Sequence, residues 1–169
     1  MSTRSYAILG TGAIGGFYGA KLQQLGIDVH FLLHSDYQQV FRQGLSIESP
    51  TGSFTLFPVQ AYNDPEKMPA CDVVIVALKT TQNHLLPQLL PPVIKDDGVV
   101  VILQNGLGIE PQVAEIVNAK RVIGGLCFIC SNKVGKGHIR HLDYGMITMG
   151  EYNENYQPGG ITPRIQQIA

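Results

Sequence analysis

The sequence predicts an α/β domain built on a doubly wound, mainly parallel sheet with helices on both faces. Short apolar runs alternate with longer helix-compatible stretches along the chain, as strand–helix units do. Two of the runs, Asp72-Val73-Val74-Ile75-Val76-Ala77-Leu78 and Gly98-Val99-Val100-Val101-Ile102-Leu103, are apolar without alternation, the pattern of parallel strands covered on both sides. The chain also opens on Tyr6-Ala7-Ile8-Leu9, which runs straight into Gly10-Thr11-Gly12-Ala13-Ile14-Gly15. A strand, a G-x-G-x-x-G turn and a helix in that order are the fingerprint of a Rossmann-type, dinucleotide-binding unit.

Composition agrees with one domain over residues 1–169. Hydrophobic residues make up 44% and charged residues 15%, enough apolar surface for a full core and too little charge for disorder. A net charge of −1 provides no electrostatic footprint for nucleic acid or an anionic membrane. No apolar run reaches the roughly 18 residues of a membrane span, and nothing near the N-terminus reads as a signal peptide. With three cysteines, these features predict a cytoplasmic protein.

Strands are expected at 5–9, 28–33, 73–78, 99–103 and 121–129, and helices at 14–25, 36–43, 82–89 and 109–117. Between them, Leu45-Ser46-Ile47-Glu48 and Ser53-Phe54-Thr55-Leu56, separated by Ser49-Pro50-Thr51-Gly52, read as a β-hairpin. Asp64-Pro65-Glu66 reads as a turn and helix start, and Asp96-Asp97-Gly98 as a turn into the next strand. A second strand pair is expected from 137–141 and 145–150. Thr162 and Pro163 suit the N-cap and first position of a last helix, which stops at Ala169 without a C-terminal cap, so the natural chain is expected to continue.

Cys127 and Cys130 form a C-x-x-C inside an apolar run. On a strand their thiols would point to opposite faces, and no second pair completes a zinc site, so both are read as buried small residues. His138 and His141 lack partners at ligand spacing, and no metal site is expected. His84 is read as polar surface.

Within the glycine turn each glycine has a separate task. Gly10 permits the tight exit from the strand, Gly12 lets a pyrophosphate approach the backbone, and Gly15 lets the helix pack closely on the sheet. The helix then presents free N–H groups and the positive end of its dipole to the phosphates. Lys79, at the end of Val76-Ala77-Leu78, and Asn105, in Leu103-Gln104-Asn105-Gly106-Leu107-Gly108, fall at carboxyl ends of strands, where α/β sheets bind ligands.

These places, with Ile123-Gly124-Gly125, His141-Leu142-Asp143-Tyr144-Gly145 and Ile147-Thr148-Met149-Gly150-Glu151, resemble the 2-dehydropantoate 2-reductase (ketopantoate reductase) family in order and spacing over nearly the whole chain. The resemblance implies an N-terminal NADP(H)-binding domain. Gly10, Thr11, Gly12, Ala13, Ile14 and Gly15 would hold the pyrophosphate. Lys79 and Asn105 would position the nicotinamide ribose and a small 2-keto acid, and the backbone around Cys130 would lie near the cofactor. It implies NADPH-dependent reduction of 2-dehydropantoate to pantoate, with NAD(H), other 2-keto acids and a homo-oligomer left open. A non-catalytic nucleotide sensor or partner-binding module is the rival class.

The sequence departs from the family twice. Where the family carries an arginine for the 2′-phosphate, this chain has His34, 19 residues after Gly15. A histidine is a weaker, pH-dependent donor there. Ser35 and Arg42 could assist, and Asp36 would oppose a phosphate if it pointed inward. The family's helical C-terminal domain, with its proton-donating lysine, has no counterpart in these residues. The chain alone is therefore expected to bind cofactor and to turn over substrate negligibly.

Overall fold

A computed structural model describes residues 4–168. In chain order the elements are β1 (Ser5–Leu9), α1 (Gly15–Gln24), β2 (Asp28–Leu32), α2 (Tyr37–Gln43), β3 (Leu45–Glu48), β4 (Phe54–Leu56), β5 (Gln60–Tyr62), β6 (Cys71–Val76), α3 (Leu86–Leu89), β7 (Ile94–Ile102), α4 (Ile109–Val117), β8 (Val122–Gly135), β9 (His138–Glu151) and α5 (Pro163–Ile168). The strands form one sheet in the order β4-β3-β9-β8-β7-β6-β1-β2-β5. Among the described residues only β3–β4 and β8–β9 pair antiparallel, so the sheet is mainly parallel, as the uninterrupted apolar runs predict.

Those runs are apolar throughout because both faces are covered. Tyr6 and Ile8 of β1, with Val73 and Ile75 of β6, face the layer that includes Phe17 and Ala20 of α1, Val40 of α2 and Ile165 of α5. Ala7, Leu9, Val74 and Val76 face the opposite layer, with Leu86 of α3 and Ile109, Val113 and Val117 of α4. The sheet curls around α1. Phe31 of β2 lies where a side chain on Gly19 would fall, at 2.5 Å, and Ile139 of β9 lies 2.3 Å from where one on Gly16 would. The ammonium of Lys21 sits 5.0 Å from the Phe54 ring of β4.

Five differences from the sequence expectation have local causes. Asp96-Asp97-Gly98, expected as a turn into the next strand, lies inside β7, where the register against β6 shifts between Cys71 and Val73, a bulge instead of a turn. The helix expected at 82–89 is a 3-10 segment, Thr80–Leu85, followed by the single turn of α3. Pro87 cannot donate the i→i−4 bond that a continuous helix would need there. The expected pair 137–141 and 145–150 is one strand, β9, running alongside β8. The β8–β9 register shifts three times, leaving Leu142 and Gly145 of β9 and Val134 of β8 as extra residues, bulges that bend the ribbon instead of ending it. The short edge strand β5, parallel to β2, has only three residues and no alternation to signal it. Cys130 is exposed, whereas Cys127 is half-buried and Cys71 buried. The opposite-face expectation for the C-x-x-C holds, but Cys130 is not the buried residue it was read as. Burial pushes the Cys71 thiol up to about 11, and no cluster able to hold a metal ion occurs among the described residues.

Arg4, next to β1, meets the last turn of α5. The Thr162 hydroxyl accepts from the Ile165 N–H at 3.2 Å and donates to Glu151 at 2.7 Å, and Glu151 also pairs with Arg164. Arg4 donates to the Gln167 carbonyl at 3.0 Å. At the start of β1, Asp72 accepts from the Ser5 N–H at 2.8 Å, the Ser5 hydroxyl at 2.9 Å and Lys95 at 2.8 Å, tying β1, β6 and β7 together. Lys95 and the Ser5 N–H together lower the Asp72 pKa from 3.8 to about 2. A lowered carboxylate stabilises the fold fully above its unfolded value, and that stability disappears as pH falls through the folded one. Asp72→Asn is expected to cost roughly 1 kcal/mol at pH 7, the modest figure reflecting partial exposure. Its urea midpoint should converge on the wild-type value between pH 4 and pH 2; a gap that persists at pH 2 would contradict this account.

Candidate functional site

Gly10 leaves β1 with φ +101°, a conformation only glycine adopts readily. A side chain there would also meet the backbone N of Leu78 at 2.5 Å and the carbonyl carbon of Ala77 at 2.7 Å. The exits of β1 and β6 are thus packed backbone to backbone, and the Ala77 N–H donates to the Leu9 carbonyl at 2.8 Å. Gly15 is fixed by space as well: an added Cβ would sit 2.3 Å from the Gly10 carbonyl oxygen. Thr11 donates its hydroxyl to the Leu32 carbonyl at 2.9 Å, which pins the turn to the end of β2.

Gly12 differs from both. Its φ lies outside the left-handed range, and a Cβ built on it meets nothing within 4 Å. The fold makes no demand for glycine at this position. Its carbonyl accepts from the Gly16 N–H at 2.9 Å, and the N-terminus of α1 beside it has no side-chain cap. Uncapped N–H groups at a helix start are donors available to an anion.

Around this turn the strand ends enclose a cavity of about 490 Å³. Gly10, Thr11 and Gly12 form one wall, His34, Ser35 and Asp36 after β2 another, and Lys79 after β6 a third; Leu32, Leu33, Leu85 and Leu89 give it an apolar side. An apolar slot next to convergent polar groups is the usual form of a small-molecule site. The cavity therefore brings together Gly10, Thr11, Gly12, His34 and Lys79 of the residues singled out from the sequence. Ala13, Ile14 and Gly15 carry the turn into α1 outside its lining. Asn105 is exposed on the neighbouring loop after β7 and does not line it, and neither does Cys130.

Three further residues organise the site. Gln104 uses its amide nitrogen twice, donating to the Leu78 carbonyl and to the Asn83 side-chain oxygen, each at 2.7 Å. It thereby clamps the Lys79 loop to the exit of β7. Gln104→Ala is expected to cost about 1–2 kcal/mol and to speed amide exchange over residues 79–85; unchanged exchange there would refute the clamp. Ser131 of β8 donates its hydroxyl to the Ala13 carbonyl at 2.9 Å, laying the β8–β9 ribbon across the glycine turn. Lys133 continues along the ribbon to the cavity, where its ammonium lies 2.7 Å from the Asp36 carboxylate. Gln104 stands in the Gln-Asn-Gly motif, so a sequence signal for it existed. For Ser131 and Lys133 there was none, because a fold brings them to the turn from more than a hundred positions away.

The parallel sheet, glycine turn and strand-end cavity define a Rossmann-type domain. Comparison with known proteins sharpens this: a profile of the ketopantoate reductase PanE/ApbA family matches residues 6–154, and the chain belongs to that family. It is 66% identical over its full length to a 2-dehydropantoate 2-reductase of Nostoc sp., of which it covers 53%. The crystal structure of a 2-dehydropantoate 2-reductase from Geobacter metallireducens superposes with a TM-score of 0.91 at 41% identity, over 98% of this chain and 53% of that one. A D-mandelate dehydrogenase solved with NADH and anilino(oxo)acetate shares the fold, with a TM-score of 0.79 at 24% identity over 89% of this chain and 49% of that one. The chain spans about half the length of the curated relatives it matches.

Proposed function

We propose that residues 1–169 form the cofactor-binding domain of an NADPH-dependent reductase that converts 2-dehydropantoate to pantoate in the cytoplasm, within the route to pantothenate and coenzyme A. Gly12 carries the reading: it is the one residue of the turn whose lack of a side chain serves no contact within the protein. Close approach of a pyrophosphate explains it.

The residues present suit a dinucleotide. The backbone of Gly10–Gly12 and the uncapped start of α1 suit the pyrophosphate, and Leu32, Leu85 and Leu89 suit an adenine. When bound, such a cofactor supplies the hydride. Lys79 places a mobile cation at the carboxyl edge of β6, where it attracts a ribose hydroxyl or the oxygen of a keto group. Asn105, on the adjoining loop, has both a donor and an acceptor group to orient the substrate from outside the cavity. The group that protonates the product oxygen is assigned to the part of the relatives' length beyond these residues. So is the cover for an apolar face of the β8–β9 ribbon, where Leu126, Phe128 and Met146 are exposed.

The test is to titrate the purified chain with NADPH and NADH by fluorescence and to assay 2-dehydropantoate reduction by the chain and by a protein of its relatives' length. Binding without turnover by the chain, and turnover by the longer protein, is the expected result. Absence of dinucleotide binding would refute the reading of the cavity, and reduction by the chain at the longer protein's rate would refute the assignment of the proton donor.

A further inference from the structure

The end of β2, where a dinucleotide domain reads the adenosine ribose, contains no arginine; His34 and Ser35 are both exposed there. Asp36 follows, and a carboxylate facing the cavity would repel a phosphate. The structure buries this carboxylate in the cavity wall and engages it with protein donors. Asp36 is 4% exposed, accepting from the Gly137 N–H at 2.9 Å and the Ser35 hydroxyl at 3.1 Å, with Lys133 at 2.7 Å. Its charge is thus consumed within the protein, and what it presents to the cavity is the lysine it holds.

We propose that Lys133, carried to the end of β2 by the β8–β9 ribbon, is the cation that recognises a phosphomonoester on the ribose of the bound dinucleotide, so that the chain selects 2′-phosphorylated cofactors without an arginine on β2. This rests on the dinucleotide reading of the cavity and adds the residue that discriminates within it. An ammonium has three donors, and one bond to Asp36 leaves two for phosphate oxygens. The lysine side chain is 36% exposed, hence reachable from the cavity it lines together with His34 and Ser35. Asp36 has two effects: it fixes the position of a long, flexible side chain, and its bonds from the Gly137 N–H and the Ser35 hydroxyl satisfy part of its charge without the lysine. Lys133 also belongs to the same ribbon that holds the glycine turn through Ser131, so the phosphate-reading cation and the pyrophosphate turn are positioned by one element.

The test compares dissociation constants of the purified chain for NADPH and NADH in the wild type, Lys133→Gln and Lys133→Arg, with thermal melts to verify folding. Loss of a charge-assisted hydrogen bond predicts that Lys133→Gln weakens NADPH by about tenfold or more and changes NADH by less than about twofold. Lys133→Arg should retain the preference for NADPH. Equal weakening of both cofactors would assign Lys133 a merely structural role, and no weakening of either would remove it from the site; each overturns the proposal while leaving the dinucleotide reading intact. Failure of the wild type to bind either cofactor would overturn both.

Discussion

Gly12→Ala is expected to fold with wild-type stability and yet to bind NADPH about 10- to 100-fold more weakly. The fold has room for the methyl group, with no described atom beyond the adjoining residues within 4 Å of it, and the backbone φ there lies outside the left-handed range. A bound pyrophosphate would need that space. Displacing it from one or two charge-assisted contacts with backbone N–H groups costs about 1.5–3 kcal/mol each. Gly10→Ala should behave in the opposite sense, as a folding defect. Its new methyl would meet the Leu78 backbone N at 2.5 Å in a residue held at φ +101°. Backbone strain and overpacking each contribute about 1–3 kcal/mol, so a loss of roughly 3 kcal/mol or more is expected. Urea denaturation and NADPH titration of both variants separate the two tasks. Wild-type affinity in Gly12→Ala would remove the main support for a dinucleotide in this cavity.

Asp36→Ala is expected to destabilise the domain by about 2–4 kcal/mol, more than any surface substitution, although the residue sits in a loop. Removing the carboxylate leaves the Gly137 N–H without its acceptor and Lys133 without its counter-ion. It also cuts a link between the end of β2 and the turn joining β8 to β9. Burial works to raise the Asp36 pKa, but the hydrogen bonds from Lys133 and the Gly137 N–H, with the lysine's charge, outweigh it and hold the group below its ordinary 3.8. The stability it contributes is therefore present above about pH 4 and declines below it. Asp36→Asn should lose that pH-dependent part and retain some of the bonding. A wild-type urea midpoint for Asp36→Ala at pH 7 would show that the buried pair carries no net stability.

Much of this architecture was legible because its signals are local. β1 and α4 fall at their expected limits, since a buried parallel strand needs an unbroken apolar run and an amphipathic helix needs Ile109, Val113 and Val117 on one side. The glycine turn was legible for the same reason: strand, turn and helix are contiguous. The family resemblance held as well, with the family profile matching residues 6–154. What escaped was non-local. β9 read as two strands because Leu142-Asp143-Tyr144 interrupts the two expected segments, and only pairing with β8 makes Leu142 and Gly145 bulges within one strand. The orientation of Asp36 depends on a lysine 97 positions later, and no pattern in either neighbourhood announces the pair. Lys79 and Asn105 were equally conspicuous in sequence, yet only Lys79 lines the cavity, a distinction set by how the loop after β7 turns outward.

The sheet order also sets a timetable for folding. β2 and β3 are consecutive in the chain but separated by five strands in the sheet, and β3 finds its inner neighbour only in β9, through pairs such as Ser46 with His138. During synthesis at about 5–20 residues per second, the partner emerges on the order of 5–20 s after β3. Leu45 and Ile47, each 1% exposed in the finished domain, remain uncovered in the interval, in a hairpin whose other strand has three residues. Nascent chains arrested before residue 138 should accordingly be cut by protease between residues 45 and 56, whereas chains released after residue 151 should resist. An early strand thus waits on a late one.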